Sequence, residues 1–326
     1  MPVSLDAIFT TGDLQSIRCL ALGDERRPVF LVTGLDGSEI VIKNEGVVHA
    51  AHDPRNLKIA LKTMQQVSPQ ARGKLLDQIE VDVVRDYVAL EEEVARLTFK
   101  QVSECMAYLR QIVDSGGMWF KMAKASGLLD LKKAAEQLAD GDKSGVRAIA
   151  ESLSAPDGLE ALGRIIAADF WSGNNDRFAP FGATAEGMQV LQNAGNVIIA
   201  IQGVNQLRKP IGLDAYEAMG TFRHMHMDPT GYEQPDEQWA GRLLGDNNRQ
   251  ALRQFCNLAI EDLETVLGPR NRKLPGRRSR LPRNAPQRLM AGIISGSGPI
   301  KAKMRLMAAK PGAPAGLQHR LNLAGW

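Results

Sequence analysis

Residues 161–178 read ALGRIIAADFWSGNNDRF, followed by NAGNVIIAI at 193–201 and KPIGLDAY at 209–216. An apolar helix ends at Trp171, and Ser172-Gly173-Asn174-Asn175 is a loop-forming run that delivers Asp176-Arg177. Asn196 then precedes a short β-run, Val197–Ile201, and Asp214 follows a second short apolar stretch and heads a helical pattern beginning AYEAM. Each piece has a plain reading of its own. Asp-Arg is often a surface ion pair, Asn193–Asn196 would serve as a hairpin turn, and Asp214 would serve as a helix N-cap. Taken together, in the order Asp176, Asn196, Asp214, they match the needs of phosphoryl transfer. One carboxylate orients an attacking hydroxyl, while an amide oxygen and a second carboxylate hold Mg²⁺ against phosphates. Residues of this kind belong on loops carried by rigid flanks.

Upstream of the loop, residues 119–172 read as helical throughout, with breaks at Asp140–Ser144 and Ala155–Gly158. The first 45 residues differ: Ser16–Leu22, Val29–Val32 and Glu39–Lys43 read as three strands separated by the turn formers GDERRP and TGLDGS. Lys43 ends the third strand. It is a candidate phosphate-binding lysine, with a solvent-facing edge lysine as the plain alternative. Residues 54–67 and 72–115 are helix-rich, and within them Glu80 and Glu91 are the candidates for a carboxylate that would pair with Lys43. Downstream, a strong helical pattern from Gln238 to Val266 is stopped by Gly268-Pro269.

A net charge of +3 conceals an asymmetry. Residues 269–326 hold thirteen Lys/Arg and no Asp/Glu, which leaves 27 basic against 37 acidic residues, a net −10, in the rest of the chain. A mildly acidic body followed by a basic, flexible tail is the expectation, with at most a brief helix at Arg305–Ala309. Cys19, Cys105 and Cys256 are odd in number and widely spaced, which gives no metal pattern and suggests a reducing compartment. His224 and His226 lack partners at zinc spacing and read as a polar surface or cleft pair. No apolar run reaches the roughly 18 residues of a membrane span. The first residues also lack the basic and apolar regions of a cleavable secretory signal.

The stretch Leu162–Phe178, with Asp169 and Gly173-Asn174-Asn175-Asp176-Arg177, resembles the catalytic loop of the atypical kinase family typified by actin-fragmin kinase. It is also similar to the phosphatidylinositol 3-/4-kinase-like group. The resemblance implies an α+β, bilobal protein-kinase-like fold with a small β-containing N-lobe and a mainly helical C-lobe. The expected domains are an N-lobe at 1–115, a C-lobe at 116–268 and the tail at 269–326. Position by position, the resemblance makes Asp176 the catalytic Asp, Asn196 and Asp214 the metal ligands, and Lys43 the lysine on the ATP phosphates. Arg177 would brace the loop or meet phosphate charge. Two departures stand out: Phe178 occupies the place where the phosphoinositide kinases carry His, and Asn196 follows Asp176 at a distance of twenty positions.

The implied activity is an ATP- and Mg²⁺-dependent kinase acting on a protein Ser/Thr hydroxyl, with a host cytoskeletal protein as a candidate substrate. The isolated module further suggests a cytoplasmic protein, or a bacterial effector secreted into a host cell. Alternatives are a phosphoinositide kinase, an AMP-transferring or inactive kinase fold, and a nucleic-acid-binding protein. The basic segment Arg270–Arg283 suits an anionic membrane surface, or nucleic acid in the last case, although Trp326 alone offers an aromatic platform there.

Overall fold

The computed structural model describes residues 14–22, 28–44, 74–75, 119–124, 127–172, 176–179, 183–184, 187–202, 207–212, 243, 249–268, 279–313, 318 and 321–322. The chain combines helices with small antiparallel sheets and divides into two compact units, residues 1–61 with 72–125 and residues 62–71 with 126–326. Element labels below number the described elements in chain order.

The first unit is built on a five-stranded antiparallel sheet. Strands β1 (Leu14–Leu22), β2 (Pro28–Gly34) and β3 (Glu39–Asn44) form the meander expected from the sequence. The β2–β3 turn is held by Asp36, whose Oδ1 accepts hydrogen bonds from Ser38 N at 2.9 Å and Ser38 Oγ at 2.6 Å. Those bonds favour the ionised form and lower the carboxyl pKa. Strands β4 (Lys74–Leu75) and β5 (Trp119–Ala123) complete the order β1-β2-β3-β5-β4. The segment WFKMA at 119–123 is therefore a strand and not the start of a helical stretch. Pairing with the open edge of β3, from Ile40↔Ala123 to Asn44↔Trp119, overrides its local reading. Strand alternation buries Phe30, Val32, Ile40 and Ile42 on one face. Lys121, opposite Ile42, is buried on the same face, whereas Lys43 is half-buried and belongs to the opposite one.

The second unit begins with β6 (Leu128–Asp130), whose last residue caps helix α1 (Leu131–Ala139) by accepting Lys133 N at 2.8 Å. Helices α2 (Ser144–Ser154) and α3 (Gly158–Ser172) follow, broken where the sequence predicts. Strand β6 pairs with β9 (Ile198–Gln202), which pairs with β10 (Leu207–Ile211), giving a three-stranded sheet. Helix α4 (Arg249–Leu267) ends at Gly268, which takes the left-handed conformation at φ 68 and donates its N–H to Glu264 O.

The final basic segment is not simply a flexible tail. Residues Ala285–Ala308 form α5, a 24-residue helix packed along α3 in the same direction. Leu289, Ile293, Ile300 and Met304 are buried. Glycines permit the contact: a Cβ on Gly292 would lie 2.3 Å from Glu160 O, and one on Gly163 2.4 Å from Leu289 O. Arg288 locks the pair, donating to both carboxylate oxygens of Glu160 at 2.9 and 2.8 Å and to the carbonyls of Ser154 and Ala155. Three glycines and Pro299 lower the intrinsic helix propensity of this stretch, so its helical form depends on tertiary packing.

Candidate functional site

Helix α3 is apolar on nearly every side, and Ile165, Ile166, Phe170 and Trp171 are all 3% exposed or less. Asp169 is the exception within that run, itself 1% exposed. A lone buried carboxylate is expensive unless paired. Its partner is Arg177, also buried, whose Nη1 meets Asp169 Oδ2 across the end of the helix. Arg177 Nε donates to the backbone oxygen of Asn196 at 2.7 Å. One guanidinium thus joins the end of α3 to the turn that precedes β9. These two bonds are what the first of the two expected roles for Arg177, bracing the loop, would require. Its side chain is 1% exposed.

Asp176, next to that brace, is exposed, and its Oδ2 accepts Asn196 Nδ2 at 2.6 Å. Two side chains twenty residues apart in sequence are brought into direct contact. The interval 179–192 makes this possible by folding back on itself. Ala179 N donates to Val190 O at 2.9 Å, Gln192 N donates to Arg177 O at 3.1 Å, and Phe178 bridges to Leu191. Two-residue strands β7 (Ala183–Thr184) and β8 (Gly187–Met188) pair further out. The long spacer is a return loop that starts and ends beside the same backbone.

Asn196 closes a short 3-10 turn, Ala194–Asn196, capped by Asn193 Oδ1 accepting Gly195 N at 2.9 Å. Its side chain is 8% exposed, with the amide nitrogen turned to Asp176. The remaining group of that side chain is a hard oxygen, the donor type that Mg²⁺ takes. Phe178 explains the departure at the position after Asp-Arg. It is fully buried and packs edge-on against Phe255 of α4 at 6.3 Å, while Phe170 meets the same ring at 5.1 Å. The position serves the core, so a polar ring has no place there.

Asp214, Glu80 and Glu91 lie outside the described residues, as do His224 and His226. Lys43 belongs to the first unit. Among the described residues no three His, Cys, Asp or Glu side chains form a metal-binding group. No helix of the described residues is long and apolar enough to cross a membrane. The sequence reading gave Asp169 a place only within the resembling stretch, with no role of its own, and did not single out Asp262. Asp169 carries a usable signal, a charge inside an apolar helix, whereas Asp262 carries none. Its Oδ2 accepts the backbone N–H groups of Val190 at 2.7 Å and Leu191 at 2.9 Å, from 72 and 71 residues away.

No family model matches the chain. A glutamate-1-semialdehyde 2,1-aminomutase from Methanoculleus marisnigri is 24% identical over 260 residues, 75% of this chain. The match spans 59% of that enzyme's length. Among solved structures, the Golgi casein kinase is 12% identical and covers 90% of this chain and 74% of its own, with a TM-score of 0.34. A score so low carries no argument about fold or activity.

Proposed function

We propose that the protein is an ATP- and Mg²⁺-dependent phosphotransferase whose acceptor is a protein Ser/Thr hydroxyl. The observation that supports this reading is the contact between Asp176 and Asn196, set on a buried Asp169–Arg177 brace. An exposed carboxylate beside an amide oxygen suits a hydroxyl acceptor next to a hard cation. Asp176 would accept or orient the proton of the attacking hydroxyl, and the Asn196 bond fixes the carboxylate so that little reorganisation remains. Asn196 and Asp214 would hold Mg²⁺, which supplies charge neutralisation on the phosphates when bound. Lys43 would neutralise the α/β phosphates of ATP. Arg177 acts one step back, holding the loop backbone against Asn196 O.

The decisive assay incubates the full chain with ATP, Mg²⁺ and candidate protein acceptors and reads substrate mass. Addition of a phosphoryl group supports the reading, and addition of an adenylyl group redirects it to AMP transfer. Isomerisation of glutamate-1-semialdehyde without nucleotide would move it to the aminomutase relative. Asp176→Ala should lower phosphate transfer by about 10²–10⁴-fold with the fold intact, and Asp214→Ala should nearly abolish it. Wild-type turnover in both variants would overturn the assignment.

A further inference from the structure

We infer that Asp262 of α4 is the positioning residue that sets the place of Asp176, acting through the return loop. The inference rests on the phosphotransferase reading for its kinetic consequence, and its structural part stands on geometry alone. Consecutive backbone N–H groups at Val190 and Leu191 point the same way and converge on one carboxylate oxygen, Asp262 Oδ2. Two successive amides form a small anion-binding concavity. Here the anion is supplied by the chain itself, at the strength of charge-assisted bonds.

The consequence follows along the backbone. Val190, held by Asp262, accepts Ala179 N, and Leu191, also held, bridges to Phe178. Gln192, next in sequence, donates to Arg177 O. The two strands of the return loop are thus cross-linked at 177–179, directly after Asp176, and the 190–192 strand is anchored to α4 by a carboxylate. Helix α4 is a firm base for this anchor, since Phe255, Ala259, Ile260 and Leu263 are buried and Phe255 packs on Phe178. Asp262 itself is only partly buried, so its carboxylate is placed for the loop and not drawn into the core.

The test replaces Asp262 by Asn, which keeps size and one acceptor oxygen but removes the negative charge that strengthens both amide bonds. Hydrogen exchange followed residue by residue should speed up at least tenfold at Val190 and Leu191, and also at Ala179 and Gln192. The amides of α3 and α5 should keep their protection. In the phosphate-transfer assay kcat should fall at least tenfold while KM for ATP stays within twofold, and Asp262→Glu should recover part of kcat. Exchange that rises only at 190 and 191, or rises equally throughout the unit, would overturn the inference. So would a kcat within twofold of wild type in a protein whose Asp176→Ala variant is inactive. If wild-type protein transfers no phosphate, the functional reading fails separately and the exchange pattern still decides the structural role. If Asp262→Asn does not fold, Asp262→Ser and Asp262→Glu provide the same exchange comparison.

Discussion

Single side chains in this protein show how burial decides role. Asp169 and Arg177 are each 1% exposed and form an ion pair with one another. Removing one partner leaves an uncompensated buried charge. Arg177→Met should therefore destabilise the second unit by about 3–5 kcal/mol, and Asp169→Asn should do so too. The double replacement Asp169→Leu with Arg177→Met should restore part of that loss while phosphate transfer stays absent, because Asn196 O has lost its donor. Chemical denaturation with a parallel transfer assay separates the two effects. Cys256 illustrates the same rule for a thiol: burial pushes its pKa up to about 12, leaving it in the unreactive protonated form at neutral pH. Alkylating reagents should leave Cys256 unmodified in native protein and label it only on unfolding, which peptide mass mapping would detect.

At the scale of elements, the α3–α5 pair carries the most specific packing. Close approach of the two backbones needs the missing Cβ at Gly163 and Gly292. Gly292→Ala should raise local helix propensity yet destabilise the unit by about 1–3 kcal/mol through overpacking, a reversal that thermal melts would show. The Arg288 guanidinium holds the Glu160 carboxyl below the usual carboxylate range, despite opposing desolvation. Since the folded pKa is depressed, this contribution is complete above the unfolded value near 4.5 and is lost as pH falls through the lower folded value. Stability of wild type should fall more steeply with acidification in that window than stability of Arg288→Met. Helix α4 has a comparable organising role. Two of its carboxylates each hold a pair of successive amides: Asp262 those at 190 and 191, and Glu264 those at 280 and 281. One pair lies under the Asp176 loop and the other leads into α5.

For the whole molecule, the basic C-terminal segment belongs to the second compact unit. Burial of Leu289, Ile293, Ile300 and Met304, at about 1.5–3 kcal/mol each, is comparable with the entire stability of an ordinary domain, about 5–15 kcal/mol. Truncation after Gly268 should therefore leave the second unit unfolded or aggregated, by circular dichroism and size-exclusion chromatography. A detachable tail would leave it intact. The segment's charge is also partly committed: Arg288 pairs with Glu160, and Arg280 Nε donates to Gly268 O at 2.9 Å. Fewer cations remain for an anionic surface than a count along the sequence suggests.

The β1–β3 meander, the two breaks that separate α1, α2 and α3, and the Gly268 stop were legible in sequence because each is encoded locally. Strand alternation, turn residues and a left-handed glycine act over a few positions. The meeting of Asp176 and Asn196 was also within reach, since a helix, a polar loop and a strand bracket them. Other features depended on partners far along the chain. WFKMA became a strand because β3 offered an edge, and APQRLMAGIISGSGPIKAKMRLMA became a helix because α3 offered a groove for its glycines. Local chemistry determined which residues are equipped for chemistry. Tertiary structure decided which stay at the surface, as Asp176 does, and which are drawn inward, as Arg177 is, because the cost of burying a charge depends on what stands opposite it.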